Sequence, residues 1–210
     1  MQTYSQVMTS LREAYDRKAE ERDNKETSPW KLEERHRFLS MLQEEDKHSL
    51  LEIGAGTGQC TKFFQDSGLE VVATDLSPEN VKRCREKGLT AYEMDFFHLD
   101  FPPGSFDAVH ALNCLLHVPK KDLPAVLQGI RTVLKPGGLF YLGVYGGKER
   151  AGVWPEDDYE PKRFFSFLSD EQMEEMSTRF FDLVDFRRIP QEESEFHFQA
   201  LILRRGCDGE

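Results

Sequence analysis

The chain has 210 residues and a net charge of −11, from 27 basic and 38 acidic side chains. This length suffices for one domain with a sizeable core, and so acidic a chain disfavours general binding to nucleic-acid phosphates. No apolar run approaches the ~20 residues of a membrane span, and the first residues do not resemble a secretory signal. The four cysteines have no metal-like spacing. We therefore expect a cytoplasmic protein with reduced thiols and no metal site.

Two segments with helical periodicity open the chain. Apolar side chains recur at intervals of three and four residues over 4–21 and again over 30–45, with a polar stretch between them. Neither segment carries a motif of its own. We expect two amphipathic helices, and we divide the chain into an N-terminal helical segment, 1–45, and a domain over 46–205.

A short apolar strand followed at once by a glycine-rich turn begins at Leu50. The strand ends at Ile53, and the turn is Gly54-Ala55-Gly56-Thr57-Gly58. Small residues allow the backbone to turn tightly and allow a ligand to approach main-chain N–H groups. The helix expected over 57–67 would direct its positive N-terminal end toward whatever lies on the turn. The turn is therefore a candidate ligand cradle.

Acidic residues end the next two predicted strands. Asp75 closes the strand 69–75, about 20 residues after the glycines, and Asp95 closes the run 90–95. In dinucleotide-binding sheets, an acid at the tip of the second strand binds ribose hydroxyls. Because ligands bind at the carboxyl ends of parallel strands, we expect Asp75 and Asp95 to line the same cleft.

Strand-like and helix-like segments alternate through the rest of the chain. The interior elements are a helix from Ser77 to about Lys87, a strand over 106–113, a helix over 120–134, a strand over 139–145 and a helix from Ser169 to about Thr178. Residues 146–163 have no clear period and are interpreted as a partly mobile loop, and 164–168 as a short strand or a buried turn. The last strands, 181–189 and 196–204, are joined by a short acidic turn and must pair antiparallel.

Five motifs in this order resemble the class I S-adenosylmethionine-dependent methyltransferases that act on small molecules. They are the segment 52–58, Asp75, the segment 94–96, Phe106-Asp107 and the Leu-Lys-Pro-Gly-Gly of 134–138. The resemblance implies an α/β, Rossmann-like, doubly wound sheet of seven strands with helices on both faces. Its strand order would be 3-2-1-4-5-7-6, with strand 7 antiparallel, and the N-terminal helices would lie over the cofactor cleft.

The resemblance also implies S-adenosyl-L-methionine as the cofactor and assigns its contacts. The methionine part would lie against Glu52, Gly54, Ala55, Gly56 and Gly58; the ribose against Asp75; the adenine against Leu76, Asp95 and Phe96; and the sulfonium near Asn113. Tyr15 could close over the cofactor, although a core role on its helix is the alternative. His117 would lie at the substrate opening as a candidate general base, or would merely cap the next turn.

Methyl transfer from a sulfonium is an in-line displacement that needs alignment and a closed cleft more than a dedicated catalytic residue. The chain lacks the Asn/Asp-Pro-Pro-Tyr/Phe sequence of the related adenine and glutamine methylases, and 113–119 carries no acidic metal ligands. We expect metal-free transfer to an unidentified small molecule, with no nucleic-acid or membrane partner. Two alternatives stay open: a non-catalytic cofactor-binding or partner subunit, and a nicotinamide-dependent dehydrogenase, whose third fingerprint glycine is Gln59 here.

Overall fold

The computed structural model describes residues 3–192 and 194–207, so residues 1–2 of the N-terminal segment and residue 193 of the acidic turn lie outside the described residues. The helices are α1 Tyr4–Asp23, α2 Pro29–Glu44, α3 Gln59–Asp66, α4 Pro78–Glu86, α5 Leu123–Val133 and α6 Asp170–Thr178. The strands are β1 Ser49–Ile53, β2 Glu70–Asp75, β3 Thr90–Glu93, β4 Phe106–Leu112, β5 Leu134–Gly146, β6 Arg150–Val153, β7 Phe164–Phe167, β8 Asp182–Ile189 and β9 His197–Arg204. A single 3₁₀ turn, Leu115–His117, follows β4 in the described part of the chain.

Seven of these strands form one sheet in the order β3-β2-β1-β4-β5-β9-β8. The first five strands of the chain run parallel, and β9 runs antiparallel to both β5 and β8. Since β8 and β9 are the sixth and seventh strands of this sheet in chain order, the expected order 3-2-1-4-5-7-6 is confirmed, as is the α/β Rossmann-like fold class. The chain places β2 and β3 on one side of β1 and then β4 and β5 on the other side. In α/β sheets, ligands bind at the point where the strand order reverses in this way.

Successive side chains of a strand point to opposite faces of the sheet. The apolar side chains of the central strands therefore belong to two layers, one on each face. On β1, Leu51 and Ile53 join the layer under α5 and α6, whereas Leu50 joins the layer under α2 and α3. Central strands covered on both faces are characteristic of parallel sheets. Because both faces of β1 and β2 are covered, a ligand can meet these strands at their carboxyl ends and at the loops that follow them.

Helix α1 crosses this carboxyl edge and is tied down at both of its ends. At its start, the Tyr4 backbone N–H donates to Asp122 Oδ2 over 2.9 Å. Further along, Asp16 accepts a hydrogen bond from Ser77 Oγ, and Asp23 forms an ion pair with Lys87. Helix α1 is therefore held across the ends of the strands rather than against the side of the sheet.

The local signals at the helix starts are confirmed where a side chain caps the helix. Ser77 accepts from the Asn80 backbone N–H at the start of α4, and Ser169 forms a capping box with Gln172 at the start of α6. Helix α5 begins at Leu123 instead of Lys120, because the backbone bond from Asp122 N–H to the Pro119 carbonyl, 2.8 Å, closes a separate turn first.

The expectation of an unstructured loop over 146–163 is partly wrong. Strand β6 pairs antiparallel with β7 and forms a two-stranded ribbon beside the main sheet, with Arg150 opposite Phe167 and Val153 opposite Phe164. The sequence Arg-Ala-Gly-Val of β6 has one β-branched residue and no alternation, so periodicity gives no strand signal there. Strand β5 also starts at Leu134, five residues before the expected start, because Leu134 pairs with Phe106 ahead of an irregularity in register.

Candidate cofactor-binding site

A narrow cavity lies at the carboxyl ends of β1, β2 and β4. Its lining residues are Leu11, Tyr15 and Arg22 of α1, Gly54 and Gly56 after β1, Asp75, Leu76 and Asn80 around the end of β2, Phe96 after β3, and Leu112, Asn113, Cys114 and His117 at the end of β4. Eight of the twelve expected site residues are among them. The other four expected residues, Glu52, Ala55, Gly58 and Asp95, lie outside this lining.

The three glycines of the turn have different roles, although all three have positive φ angles between 58° and 82°. A Cβ on Gly54 would overlap the Cβ of Cys114, and a Cβ on Gly58 would lie 2.6 Å from Leu89 Cδ1. These two glycines are required by packing. At Gly56 the nearest atom to an added Cβ is Nη2 of Arg22, 3.7 Å away. Gly56 is therefore the glycine that keeps the backbone open toward the cavity.

Asp75 is held in one orientation at the tip of β2. Its Oδ2 accepts from the Gly56 backbone N–H over 2.7 Å, and its Oδ1 accepts from the Ser77 backbone N–H over 2.9 Å and from Asn80 Nδ2 over 3.1 Å. The residue is only 7% exposed. Burial raises the pKa of Asp75, while hydrogen bonds from Ser77, Asn80 and Gly56 favour its charged form. A carboxylate has about four acceptor positions, so one stays open for a ligand.

Three buried polar atoms around the cavity lack a hydrogen-bond partner among the described residues. They are Asn113 Oδ1, Asn80 Oδ1 and Arg22 Nε. Buried polar atoms are normally hydrogen-bonded, so these atoms mark places that suit a polar ligand or water. Asn113 also has φ +54°, and its backbone N–H donates to the Gly143 carbonyl over 2.7 Å. The backbone bond fixes the strained residue and leaves its side chain available.

Arg22 is not among the site residues expected from the sequence, because the periodicity predicts a first helix that ends at residue 21, whereas α1 continues to Asp23. Nη1 of Arg22 donates to Tyr159 Oη over 3.0 Å, and its guanidinium lies 5.1 Å from the centre of the Tyr15 ring. The signal that could have found it is helical spacing: Leu11, Tyr15 and Arg22 are separated by four and seven residues, which puts them on one face of a helix. That face lines the cavity.

His117 lies at the floor of the cavity with both ring nitrogens engaged. Nδ1 is 2.7 Å from the Phe164 carbonyl oxygen, which can only accept, so Nδ1 carries the proton. Nε2 then accepts from Tyr15 Oη, also at 2.7 Å. Burial lowers the pKa of His117 from 6.5 to about 3. In this arrangement the ring is neutral and its basic nitrogen is occupied by Tyr15, so its role as a general base stays a prediction.

A partly buried ion pair holds Tyr15 in place over His117. Arg163 donates to Tyr15 Oη over 3.1 Å and binds the Asp157 carboxylate through Nε and Nη2, at 2.9 and 2.6 Å. Two parallel bonds between a guanidinium and a carboxylate fix both groups. Because Asp157 and Arg163 lie just before β7, the β6–β7 ribbon is coupled to helix α1 through Tyr15.

The expected adenine contacts are partly covered by α1. The Phe96 backbone N–H donates to Tyr4 Oη over 3.4 Å. The Asp95 carboxylate accepts from the Phe97 and His98 backbone N–H groups at 2.7 and 3.1 Å, and it lines a neighbouring cavity together with Tyr4. Direct contacts of Asp95 and of the Phe96 N–H with adenine stay predictions, and the Phe96 N–H would have to exchange its bond to Tyr4 for one to adenine.

Glu52 points into the layer beneath the sheet instead of into the cavity. It accepts from Thr61 Oγ1, and its other oxygen lies 3.3 Å from His110 Nδ1. Ligand atoms of Glu52, Cys60 and His110 lie within 4.8 Å of one another, an arrangement that the cysteine spacing did not reveal. Cys60 Sγ in turn lies 3.7 Å from Arg35 Nη1. Each of these three groups therefore has a polar contact within the described residues.

Comparison with known proteins agrees with this geometry. Residues 51–142 match a family model described as a methyltransferase domain. Among curated relatives, a sterol 24-C-methyltransferase of Gibberella zeae is 32% identical over 123 residues, covering 54% of this chain and 31% of that protein. A ubiquinone biosynthesis O-methyltransferase of Xanthomonas campestris is 35% identical over 100 residues, covering 44% of this chain and 41% of that protein. The chain thus matches less than half the length of these relatives.

Solved structures resemble this chain over most of its length. The Burkholderia thailandensis 1,6-didemethyltoxoflavin-N1-methyltransferase, with bound 1,6-didemethyltoxoflavin and S-adenosylhomocysteine, superposes with a TM-score of 0.75 at 20% identity, over 98% of this chain and 92% of that chain. The [4+2]-cyclase SpnF superposes with a TM-score of 0.66 at 18% identity, over 81% of this chain and 80% of that chain. At these identities the likeness establishes the fold alone. The match of residues 51–142 to the methyltransferase-domain model agrees with the resemblance to class I S-adenosylmethionine-dependent methyltransferases.

No helix among residues 3–192 and 194–207 has both the length and the hydropathy needed to span a membrane.

The lowered pKa of His117 predicts a specific loss of stability in acid. Between about pH 6.5 and pH 3 the unfolded chain binds a proton on this histidine and the folded chain does not, so stability falls as the pH drops through that range. From about pH 7 to about pH 5, we expect the free energy of unfolding of the wild type to fall by about 2 kcal/mol more than that of His117→Gln. Urea unfolding followed by circular dichroism measures both.

His98→Gln is the matched control, because the His98 side chain is exposed on the surface. This variant should lose stability in acid in parallel with the wild type. Equal pH dependence in the wild type and in His117→Gln would show that His117 is not held neutral by burial.

Proposed function

We propose that this protein is an S-adenosyl-L-methionine-dependent methyltransferase that transfers a methyl group to a small-molecule acceptor without a metal ion. The observation that carries the proposal is the Asp75 carboxylate fixed beside the open backbone of Gly56, at the switch point of a sheet whose residues 51–142 match a methyltransferase domain. Acceptors of the small-molecule class are supported by the relatives named above. The net charge of −11 favours neither nucleic acid nor an anionic membrane surface as the acceptor.

The residues at the cavity suit this cofactor in chemistry and in position. Asp75 offers a carboxylate to the ribose hydroxyls, and the backbone around Gly54 and Gly56 offers close approach to the amino-acid part. Asn113, whose amide oxygen has no partner among the described residues, suits the cofactor's positively charged groups. Leu76 and Phe96 supply apolar surface for the purine. Gly58 and Ala55 shape the turn, and Glu52 and Asp95 would act from outside the lining.

Arg22 is the best candidate to bind the carboxylate of the cofactor. Its guanidinium lies over Gly56, beside the segment proposed to hold the amino-acid part, and its Nε is buried without a partner among the described residues. Arginine binds carboxylates through two parallel hydrogen bonds. A carboxylate placed there would satisfy Nε and would also neutralise a charge that is now buried against tyrosine rings.

When bound, the cofactor supplies a methyl group on a sulfonium leaving group. The chain's own residues bind and orient the two reactants and keep water out. Helix α1, within the N-terminal segment 1–45, closes the cavity with Leu11, Tyr15 and Arg22. We therefore divide the chain into this cap and a catalytic domain over 46–205, and the four free cysteines are consistent with a cytoplasmic location.

His117 is the candidate base for an acceptor that must lose a proton. The bond from Nδ1–H to Phe164 fixes Nε2 as the nitrogen with the free lone pair, and Tyr15 now donates to it. An acceptor hydroxyl or amine that replaces Tyr15 at Nε2 would give up its proton there. An acceptor with its lone pair already available needs no such step.

Replacing Asp75 with alanine tests the proposed ribose contact. The variant loses a charged acceptor, so we expect affinity for S-adenosylhomocysteine to weaken by about 1.5–3 kcal/mol, or roughly ten- to a hundredfold. Equilibrium dialysis measures the affinity. Because the substitution also removes the acceptor of hydrogen bonds from Gly56, Ser77 and Asn80, circular dichroism checks that the variant is folded. Asp66→Ala is the matched control, since Asp66 is exposed on α3 and pairs with Lys62.

The same dialysis with NAD separates the proposal from the dehydrogenase alternative. We expect the wild type to bind S-adenosylhomocysteine and not NAD. Tight NAD binding without S-adenosylhomocysteine binding would overturn the proposal, and unchanged affinity in Asp75→Ala would remove the role given to that residue.

A second variant tests the role of Arg22. Arg22→Met keeps much of the side-chain length but loses the charge, so we expect about tenfold weaker binding of S-adenosylhomocysteine. Binding of 5′-methylthioadenosine, which lacks the amino-acid carboxylate, should change less than about twofold. Isothermal titration calorimetry measures both ligands. Arg17→Met is the control on the same helix, because Arg17 is exposed and pairs with Glu13. Equal losses for both ligands would mean that Arg22 does not bind the carboxylate.

A further inference from the structure

A second cleft lies next to the cavity on the side of the β6–β7 ribbon. The two spaces meet at the 3₁₀ turn after β4: Leu116 lines the second cleft, and His117 lines the first. The ring of Phe165, which lines the second cleft, packs on the His117 imidazole with 4.8 Å between their centres. A molecule in the second cleft would therefore lie one side chain away from the proposed cofactor site.

Aromatic rings form the walls of this cleft. Phe165 and Phe167 alternate along β7, so they stand on the same face of the ribbon, and their rings stack at 5.5 Å with an angle of 13°. Trp154 meets both rings edge-on, at 6.1 and 5.8 Å, and Phe196 lies 4.5 Å from Phe167. Tyr145, at the end of β5, completes the lining. Walls of this kind bury flat, apolar molecules well.

The charged groups around these rings favour a cation over an anion. Three consecutive acids, Glu156, Asp157 and Asp158, line the cleft. Asp157 is neutralised by Arg163, whereas Glu156 and Asp158 make no hydrogen bond or ion pair within the described residues. The ring of Trp154 already attracts one cation, because the Arg150 guanidinium lies 4.2 Å from its centre. That arginine is half exposed and bonds weakly, at 3.4 Å, to the exposed Glu195.

We propose that this aromatic cleft binds the methyl acceptor, and that it selects a planar, apolar ring system with a positive charge over the same ring system with a negative charge. The proposal rests on the methyltransferase function proposed above. Aromatic faces attract a cation within about 6 Å of the ring centre, and the two unpaired acids at the rim repel anions. Carboxylated and phosphorylated acceptors are disfavoured for the same reason.

Three probes of similar size and shape distinguish the effect of the ligand's charge from the binding of its ring system. They are N-methylquinolinium, which is cationic, quinoline, which is neutral at about pH 7.5, and 2-naphthoate, which is anionic. Each is titrated against the full chain saturated with S-adenosylhomocysteine, and saturation-transfer NMR measures the dissociation constant. We expect N-methylquinolinium to bind about three- to fivefold more tightly than quinoline, and 2-naphthoate to bind at least about tenfold more weakly than N-methylquinolinium.

Two variants connect the charge preference to this cleft. Trp154→Leu keeps an apolar wall but removes the indole face, so the cation should lose its advantage over quinoline. Glu156→Gln should lower the preference for the cation over the anion by about twofold, because Glu156 is exposed and unpaired within the described residues. Glu70→Gln is the matched control, since Glu70 is exposed at the opposite, amino-terminal end of β2, and it should change neither ratio.

Binding of S-adenosylhomocysteine, measured first, distinguishes the two proposals. If S-adenosylhomocysteine does not bind, the methyltransferase proposal fails. If it binds but 2-naphthoate binds as tightly as N-methylquinolinium, or no probe binds, then the acceptor inference fails and the methyltransferase proposal stands. Charge preference that persists unchanged in both variants would also overturn the inference, because it would arise elsewhere on the protein.

Discussion

The hydrogen bond from the Gly56 N–H to Asp75 Oδ2 joins the first and second strands of the sheet at their carboxyl ends. It depends on the parallel pairing of β1 with β2, which brings Ile53 beside Thr74 and so aligns the loops that follow. It also depends on Gly56 having no side chain on the cavity face. The bond orients the carboxylate before any ligand arrives, and such preorganisation lowers the cost of ordering groups on binding.

Helix α1 and the β6–β7 ribbon turn this strand edge into an enclosed site. Their contact is polar and partly buried: Tyr15 receives a bond from Arg163, gives one to His117, and shares its ring face with Arg22. These groups come from α1, the 3₁₀ turn after β4 and the segment before β7, so the proposed cofactor site, the candidate base and the proposed acceptor cleft are physically connected. Movement of Tyr15 would change all three, and the fold alone does not fix the reaction, since a [4+2]-cyclase shares it.

The sheet and most of the cavity lining were predictable from the sequence, because glycine turns, strand-end acids and capping residues are local signals. Gly54 and Asp75 were found in this way, whereas Asn113 came from the resemblance to the methyltransferase family. The rest depends on tertiary packing that no local pattern encodes. Asp95 was expected in the cavity but lines a neighbouring one together with Tyr4 of α1, more than ninety positions away. The ribbon strand β6 was missed because its pairing with β7 compensates for a sequence of low strand propensity.

The most direct test of this account follows the backbone amide of Gly56 in ¹H–¹⁵N correlation spectra during titration with S-adenosylhomocysteine. The account predicts that the signals of Gly56, Ser77 and Asn113 move together and saturate at one ligand per chain, because all three lie at the carboxyl edge of the sheet around Asp75. Shifts confined to other parts of the chain, with these three signals unchanged at saturation, would contradict it.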